Sequence, residues 1–584
     1  MKKLFALLMA LCLMVGLVPA MAEGDVVSVF YGGGTPKSGD PALNSASSGS
    51  NIIKLSHAGL LGFQWVDGKA EIAPELAESY TISEDQLTWT FTLRKGLKWS
   101  DGSDFKASDI VSSWKRAASE ELGADYGFMY GIIEGYPANM NITADDENGV
   151  FTVKLAAPAP YFKDLAAFPT FYPVKENVDS EGIWATKAET NIGMGPFRMT
   201  AYKVDDVISF EKNEYYWNAE NVKLASVNCY LAEDNAAILA AYENDTAQFI
   251  NSIDPVEFDR LNATYPGELV FHEMMGTYYL LFNVYKDMSP AGKQLSVQEQ
   301  SKARFALGQM VNREELVQFV TKAGQIPAKG FYPTKLSDGT NPDVRLAEGY
   351  KTWYADTAAI SPENEEYTVD QVSAINALIE LGYAYTGTVA EGNIQFSNFP
   401  TIEFAFNNSG ANAAIIQYVQ ETWNKVGITS VINQEAWATL QTKLKAGDAE
   451  AARMGWVADF SDVLNFLEIF ISASGNNYPR LGRSIGDYKR ASDVTKDAGM
   501  GAYWGLEGDK TWADAYDALA NEIKFSTDPA ARVKAAQLAE EVLMASGAVA
   551  PLFYYTNPAM TKPNVEGLII MPSGDVIWNY VTLK

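Results

Sequence analysis

Residues 74–116 read PELAESYTISEDQLTWTFTLRKGLKWSDGSDFKASDIVSSWKR. Within them the chain alternates: Leu87, Trp89, Phe91 and Leu93 point one way, and Thr88, Thr90, Thr92 and Arg94 the other. A period of two predicts a strand with one buried face. Lys95-Gly96 marks a turn, Leu97-Lys98-Trp99 opens a second short extended piece, and Ser100-Asp101-Gly102 turns the chain again. Residues 107–116 then place Ile110, Val111 and Trp114 on one side of a helix. This run of strand, turns and helix is scaffold, with no chemistry of its own.

The same mixture continues outward. Thr368 with Gln371 predicts a capping box ahead of Val372, Ile375, Leu378 and Ile379, and Gly382 stops that helix. Residues 412–426 are amphipathic and end at Gly427. Asp528 is an N-cap with Pro529 at the first helical position, and Gly547 ends that helix. Residues 304–320 are expected to form one more helix. The glycines at 32–34 and the polar run 45–51 read as loop, Gly193-Met194-Gly195-Pro196 as a sharp crossing between strands, and 485–510 as a long surface excursion. Interleaved strands and helices predict an α/β or α+β class.

Residues 1–22 read as a cleavable signal peptide. Lys2 and Lys3 precede an apolar run, and Ala20-Met21-Ala22 supplies a small-x-small cleavage site. Cys12 lies inside the apolar run behind Leu11, so it does not read as a lipid-attachment site. The chain of 584 residues carries a formal charge of −28, and the leader removes only two lysines. So acidic a surface argues against nucleic-acid or anionic-lipid partners. Cys229 is the one cysteine left after the leader, so an exported chain must rely on its core without an internal disulfide. Its length predicts two or more lobes.

Catalytic motifs are missing. His57 and His272 are the two histidines, and the His-Glu-Met-Met-Gly at 272–276 lacks the second histidine of a zinc-protease motif. No cysteine–histidine cluster has metal-ligand spacing, and no G-x-S-x-G elbow occurs. Gly34-Thr35-Pro36-Lys37-Ser38 lacks the glycine before lysine that a phosphate loop needs, and its proline removes an N–H. The expectation is a protein that is not an enzyme, with no catalytic residues, cofactor or metal, and with structural histidines.

The segment 451–460, AARMGWVADF, sets Arg453 and Asp459 at the two ends of a short apolar strand. Arg453, Gly455, Val457 and Asp459 would share one face. At roughly 3.3 Å per residue the charges lie up to about 20 Å apart along the chain, too far for a simple ion pair. The spacing suits a zwitterion between them, such as a short extended peptide. From this segment alone, an ordinary strand with charged ends fits equally well.

Taken together, the frame at 74–116 resembles the signature region of the extracytoplasmic solute-binding proteins of bacterial ABC peptide importers, family 5. The resemblance rests on Leu93-Arg94-Lys95-Gly96, Lys98-Trp99-Ser100-Asp101-Gly102, Ala107, Asp109, Ser113 and Arg116. It continues in order through Gly193-Met194-Gly195-Pro196-Phe197, Lys212-Asn213-Glu214-Tyr215-Tyr216-Trp217, Tyr279-Leu280-Leu281-Phe282-Asn283 and Arg304-Phe305-Ala306-Leu307 to Asn312-Arg313. Asn433-Gln434-Glu435 through Phe460 is most similar to the oligopeptide-binding branch.

The resemblance implies a two-lobed periplasmic-binding-protein-like fold with a hinge and an additional subdomain. A discontinuous first lobe would comprise 23–55, 191–285 and 526–584, the subdomain 56–190 and the second lobe 286–525. It implies that Asp459 takes a peptide's α-amino group, that Arg453 takes its carboxylate, and that Gly455 and Val457 pair with its backbone. Trp456 would wall the site or pack in the core, and Asn476 and Tyr126 align loosely with ligand-contacting positions. The implied partners are a short peptide and the membrane permease subunits of an ABC importer, with the receptor a monomer outside the cytoplasmic membrane.

The chain departs from the family at Phe460, where tyrosine is usual, and in Ser461-Asp462-Val463-Leu464, where a proline is usual. It also has an uncharged residue near Asn412, where some relatives have histidine. The alternative readings are a receptor for a non-peptide solute (an oligosaccharide or a metal chelate) and a secreted polysaccharide hydrolase, which needs two carboxylates about 5–10 Å apart.

Overall fold

The alternating stretch forms the strand Thr88–Leu93, with Trp89, Phe91 and Leu93 buried. It sits inside a four-stranded antiparallel sheet in the order Ala77–Ile82, Thr88–Leu93, Val150–Lys154, Ile142–Asp145. The helix Ala107–Ala118 lies against this sheet, where Trp114 meets Phe151 edge-on at 4.8 Å. The computed structural model describes residues 25–584 except 32–33, 37, 67–68, 177, 355–358, 408–411 and 482–511. The leader at 1–22, part of the glycine loop at 32–34 and the excursion at 485–510 therefore lie outside the described residues.

A large sheet runs through the rest of the molecule. Its order is Ser430–Glu435, Ile402–Asn407, Ala451–Val457, Leu269–Phe282, Val549–Thr561, Phe249–Ile250, Asp25–Phe30, Leu224–Tyr230, Val207–Lys212, Phe197–Lys203. The two long strands, Leu269–Phe282 and Val549–Thr561, pair antiparallel along most of their length. Their register shifts between Glu273 and Thr277 and again at Tyr278–Tyr279. Before the first shift, Leu269 and Met560 pack into a core with Ile238, Tyr242 and Leu261. Beyond it, Tyr278, Leu280 and Phe553 pack with Leu307, Ile375 and Trp423. The long strands thus link two separate cores.

A third cluster joins the four-stranded sheet to the far half of the molecule. It runs from Trp89, Phe91 and Trp114 to Phe466, Phe470 and Leu543. The glycine–proline crossing is where the smaller sheet is left for Phe197–Lys203. A Cβ on Gly193 or Gly195 would fall 2.0 Å from the Ser56 carbonyl oxygen or 2.5 Å from the Ser56 carbonyl carbon, so this approach admits only glycine.

The sequence-predicted caps are present, Gly382 and Gly427 among them with φ 89° and 80°. Thr368 accepts from the Gln371 N–H, Asp528 accepts from the Ala530 N–H, and Gly547 is left-handed with φ 64°. Two expectations are corrected. The polar run 45–51 is not a loop, because Ser47–Ser56 is a helix with Ser50, Asn51 and Lys54 buried. Tertiary partners satisfy these groups: Ser50 and Lys54 donate to Asp575, and Asn51 accepts from the Val576 N–H. Residues 304–320 are not one helix either. Ser296 and Glu299 cap a helix that ends at Gln309, and Asn312 caps a new turn by accepting from the Glu315 N–H. The break carries Arg313 inward, where it donates to the Pro551 carbonyl and lies 3.5 Å from the Tyr354 ring centre.

Candidate functional site

Ala451–Val457 runs antiparallel to Leu269–Phe282, with Arg453 opposite Leu280, Gly455 opposite Tyr278 and Val457 opposite Gly276. Two hydrogen bonds fix which main-chain groups face that neighbour. The Asn283 N–H donates to the Glu450 carbonyl at 2.9 Å, and the Ala458 N–H donates to the Met275 carbonyl at 2.7 Å. Alternation then turns Ala452, Met454 and Trp456 toward Leu269–Phe282, and Arg453, Gly455 and Val457 away from it. On the other edge, Ile402–Asn407 pairs only with Ala451 and Ala452. From Arg453 to Val457 the strand therefore presents an edge that no described strand occupies.

Arg453 stands at one end of this edge. Its guanidinium lies 5.1 Å from the Tyr278 ring centre. Its Nε is buried with no hydrogen-bond partner among the described residues. The Tyr278 hydroxyl donates to Asn412 Oδ1 at 3.1 Å, and Asn412 opens the helix Asn412–Asn424. Tyr555 closes the same corner. A Cβ on Gly455 would fall 2.2 Å from its hydroxyl oxygen, so the ring occupies the space a side chain there would need. Burial raises the Tyr555 phenol, and the Arg453 charge opposes the rise.

Asp459 stands at the other end, just past the strand and partly accessible. The Tyr126 hydroxyl donates to its Oδ1 at 2.6 Å, and Asn465 Nδ2 donates to its Oδ2 at 3.1 Å. Burial pushes the carboxyl up to about 6; the two donors oppose that rise and the nearby Asp575 adds to it. Trp456 alternates to the opposite face, packs against the core and donates its indole N–H to Asn465 Oδ1 at 3.0 Å. The indole therefore packs on the core while its N–H is tethered, through Asn465, toward Asp459.

The structure therefore gathers Asp459, Tyr126 and Trp456 at one end, and Arg453 with Gly455 along the open edge toward the other. Asn476 lies in the turn that follows Val463–Leu467 and Glu468–Phe470. Its side chain meets the Tyr478 hydroxyl at 3.4 Å within its own turn, and no hydrogen bond joins it to Asp459 or Arg453 among the described residues. The departure at Phe460 has a structural counterpart: Phe460 stacks on Tyr161 at 5.1 Å, where no hydroxyl is needed. Where the proline is missing, Asp462 caps Val463–Leu467 and takes both branches of a buried bidentate bond from Arg532, at 2.6 and 2.8 Å.

Sequence reasoning missed Asn465, Tyr278 and Tyr555. Asn465 carried a signal, since it is a lone amide among Val463, Leu464, Phe466 and Leu467, and a buried amide needs partners. Tyr555 carried none, because its strand meets Gly455 only through the sheet. His57 is buried edge-on to Trp184 with its pKa lowered by burial to about 4, consistent with a structural role. Among the described residues no cluster of histidine, cysteine and carboxylate could hold a metal.

The bacterial extracellular solute-binding proteins, family 5 Middle, match residues 71–478. The chain belongs to this family. The oligopeptide-binding protein OppA of Bacillus subtilis is 27% identical over 565 residues, covering 94% of this chain and 91% of that one. The crystal structure of Haemophilus influenzae OppA in complex with RPPGFSPFR superposes with a TM-score of 0.71 at 24% identity, over 96% of this chain and 99% of that one. The Escherichia coli murein tripeptide binding protein MppA gives 0.72 at 22%, over 97% and 99%. These likenesses show that this family-5 protein has the two-lobed periplasmic-binding-protein-like fold. They also agree with an extracytoplasmic receptor that performs no catalysis.

Proposed function

We propose that this chain is an extracytoplasmic receptor that captures short peptides in an interlobe cleft and delivers them to the permease subunits of an ABC importer. The observation that carries the reading is the edge from Arg453 to Val457 that no described strand occupies, with a carboxylate beyond one end and, at the other, a cation that pairs with no carboxylate among the described residues. An extended peptide laid on this edge gains main-chain hydrogen bonds from Gly455 and Val457 whatever its sequence. Its ammonium meets Asp459, and its carboxylate meets the guanidinium of Arg453. The names of the relatives, oligopeptide-binding and murein tripeptide-binding proteins, support the same ligand class.

The working division keeps residues 1–22 as a cleaved leader, 23–55 with 191–285 and 526–584 as the first lobe, 56–190 as the subdomain and 286–525 as the second lobe. The register shifts in the two long strands support a hinge between the cores. The receptor works as a monomer and binds no nucleic acid. Incubation with a peptide mixture, followed by mass spectrometry of what is retained, should recover peptides with free amino termini. Retention of an oligosaccharide or metal chelate with no peptide would overturn the proposal.

A further inference from the structure

Asn465 is 1% exposed, within the short helix Val463–Leu467. Its Oδ1 accepts two hydrogen bonds, from the Trp456 indole N–H and from the Asp459 main-chain N–H, each at 3.0 Å. Its Nδ2 donates to Asp459 Oδ2 at 3.1 Å. One side chain thus pins the turn after the open strand, fixes the indole and occupies one oxygen of the carboxylate. The other oxygen is held by Tyr126.

The two donors differ in origin. Asn465 lies 6 residues from Asp459 and travels with it, whereas Tyr126 lies 333 residues away, beside the four-stranded sheet. If the lobes part, the Asn465 bonds persist and the Tyr126 bond does not. The remaining titratable groups facing Asp459 are Asp575 from the C-terminal segment and Glu468 from the turn after the helix. Asp575 disfavours its charge, and Asp459 in turn raises the Glu468 carboxyl. Asn465 is then the donor that holds the carboxylate before closure.

We propose that Asn465 is the positioning residue of the amino-terminal subsite: it sets the orientation of the Asp459 carboxylate in the open receptor, so that an arriving ammonium meets a preformed acceptor. This rests on the reading of the chain as a peptide receptor and adds how that subsite is built.

Asn465→Asp removes the donor and adds a like charge, and Asn465→Ser removes the donor alone. Asn465→Asp keeps an acceptor for the Trp456 and Asp459 N–H groups but replaces the donor to Asp459 Oδ2 with a second carboxylate oxygen. Carboxyl NMR of the full-length ligand-free protein should show Asp459 titrating about one pH unit higher or more. Affinity for a peptide with a free amino terminus should fall about twofold or more at pH 7 and recover toward about pH 8, while an N-acetylated peptide shows no such pH shift. Asn465→Ser, too short to reach Oδ2, should also raise the titration midpoint, which provides a second reading if Asn465→Asp does not fold. An unchanged Asp459 titration in either folded variant would overturn the proposal. A wild-type protein that binds no peptide would overturn the functional reading instead, leaving the titration to decide the role of Asn465.

Discussion

Asp459 is held by Tyr126 and Asn465 while burial raises its carboxyl from 3.8 to about 6. A raised carboxyl stabilises the fold below its unfolded value, and that contribution is lost as pH rises through about 6. The difference between the two values corresponds to about 3 kcal/mol across this window in the ligand-free protein. An ammonium beside Asp459 reverses the preference by favouring the charged form. Binding of a free-amine peptide near pH 6 should therefore release a proton. Its affinity should rise with pH up to about 6 and then level off until the peptide's own amine deprotonates near about 8. Calorimetry in buffers of different ionisation enthalpy reads both effects, and N-acetylated peptides should lack them. Asp459→Ala should weaken free-amine peptides by about 2–5 kcal/mol and acetylated ones much less, measured by the same titration. At Gly455 the constraint is steric. Gly455→Ala drives a methyl into Tyr555 and should lower stability by about 1–3 kcal/mol in urea unfolding, with Tyr555→Leu in the same chain restoring most of it.

At the scale of elements, the turn from Ala451–Val457 into Val463–Leu467 is fastened twice: by Asn465 to Asp459 and by Asp462 to Arg532. Both members of the ion pair are buried, and Asp462 also caps the helix. Removing one partner leaves a buried charge uncompensated. Arg532→Met should cost about 3–5 kcal/mol in denaturant unfolding, whereas replacing both partners by apolar residues should cost much less. Elements were legible in the sequence where local chemistry decides them. Thr368, Asp528 and the alternation from Thr88 to Leu93 each declared a boundary or a face. The helix at Ser47–Ser56 was illegible because its polar residues are satisfied by Asp575 and Val576, at the far end of the chain. The break after Gln309 was missed for the same reason: Arg313 is drawn to a carbonyl of Val549–Thr561.

Across the whole molecule, the contact of Tyr126 with Asp459 and the stack of Tyr161 on Phe460 join the smaller sheet to the strand that bears the open edge. Peptide binding should therefore favour a closed arrangement, seen as a smaller radius of gyration by solution X-ray scattering. Tyr126→Phe removes a bond that exists only across this seam. It should speed peptide release several-fold with little change in the association rate, measured by stopped-flow fluorescence. The scaffold frame at 74–116, the helix caps and the two charges at Arg453 and Asp459 could be read directly from the chain, because each is set by residues close together in it. Tertiary packing was needed to show which edge of Ala451–Val457 is open, that Tyr555 fills the space beside Gly455 and that Asn465 holds Asp459. Those facts depend on which distant segments pack or pair together, and local periodicity carries no record of that.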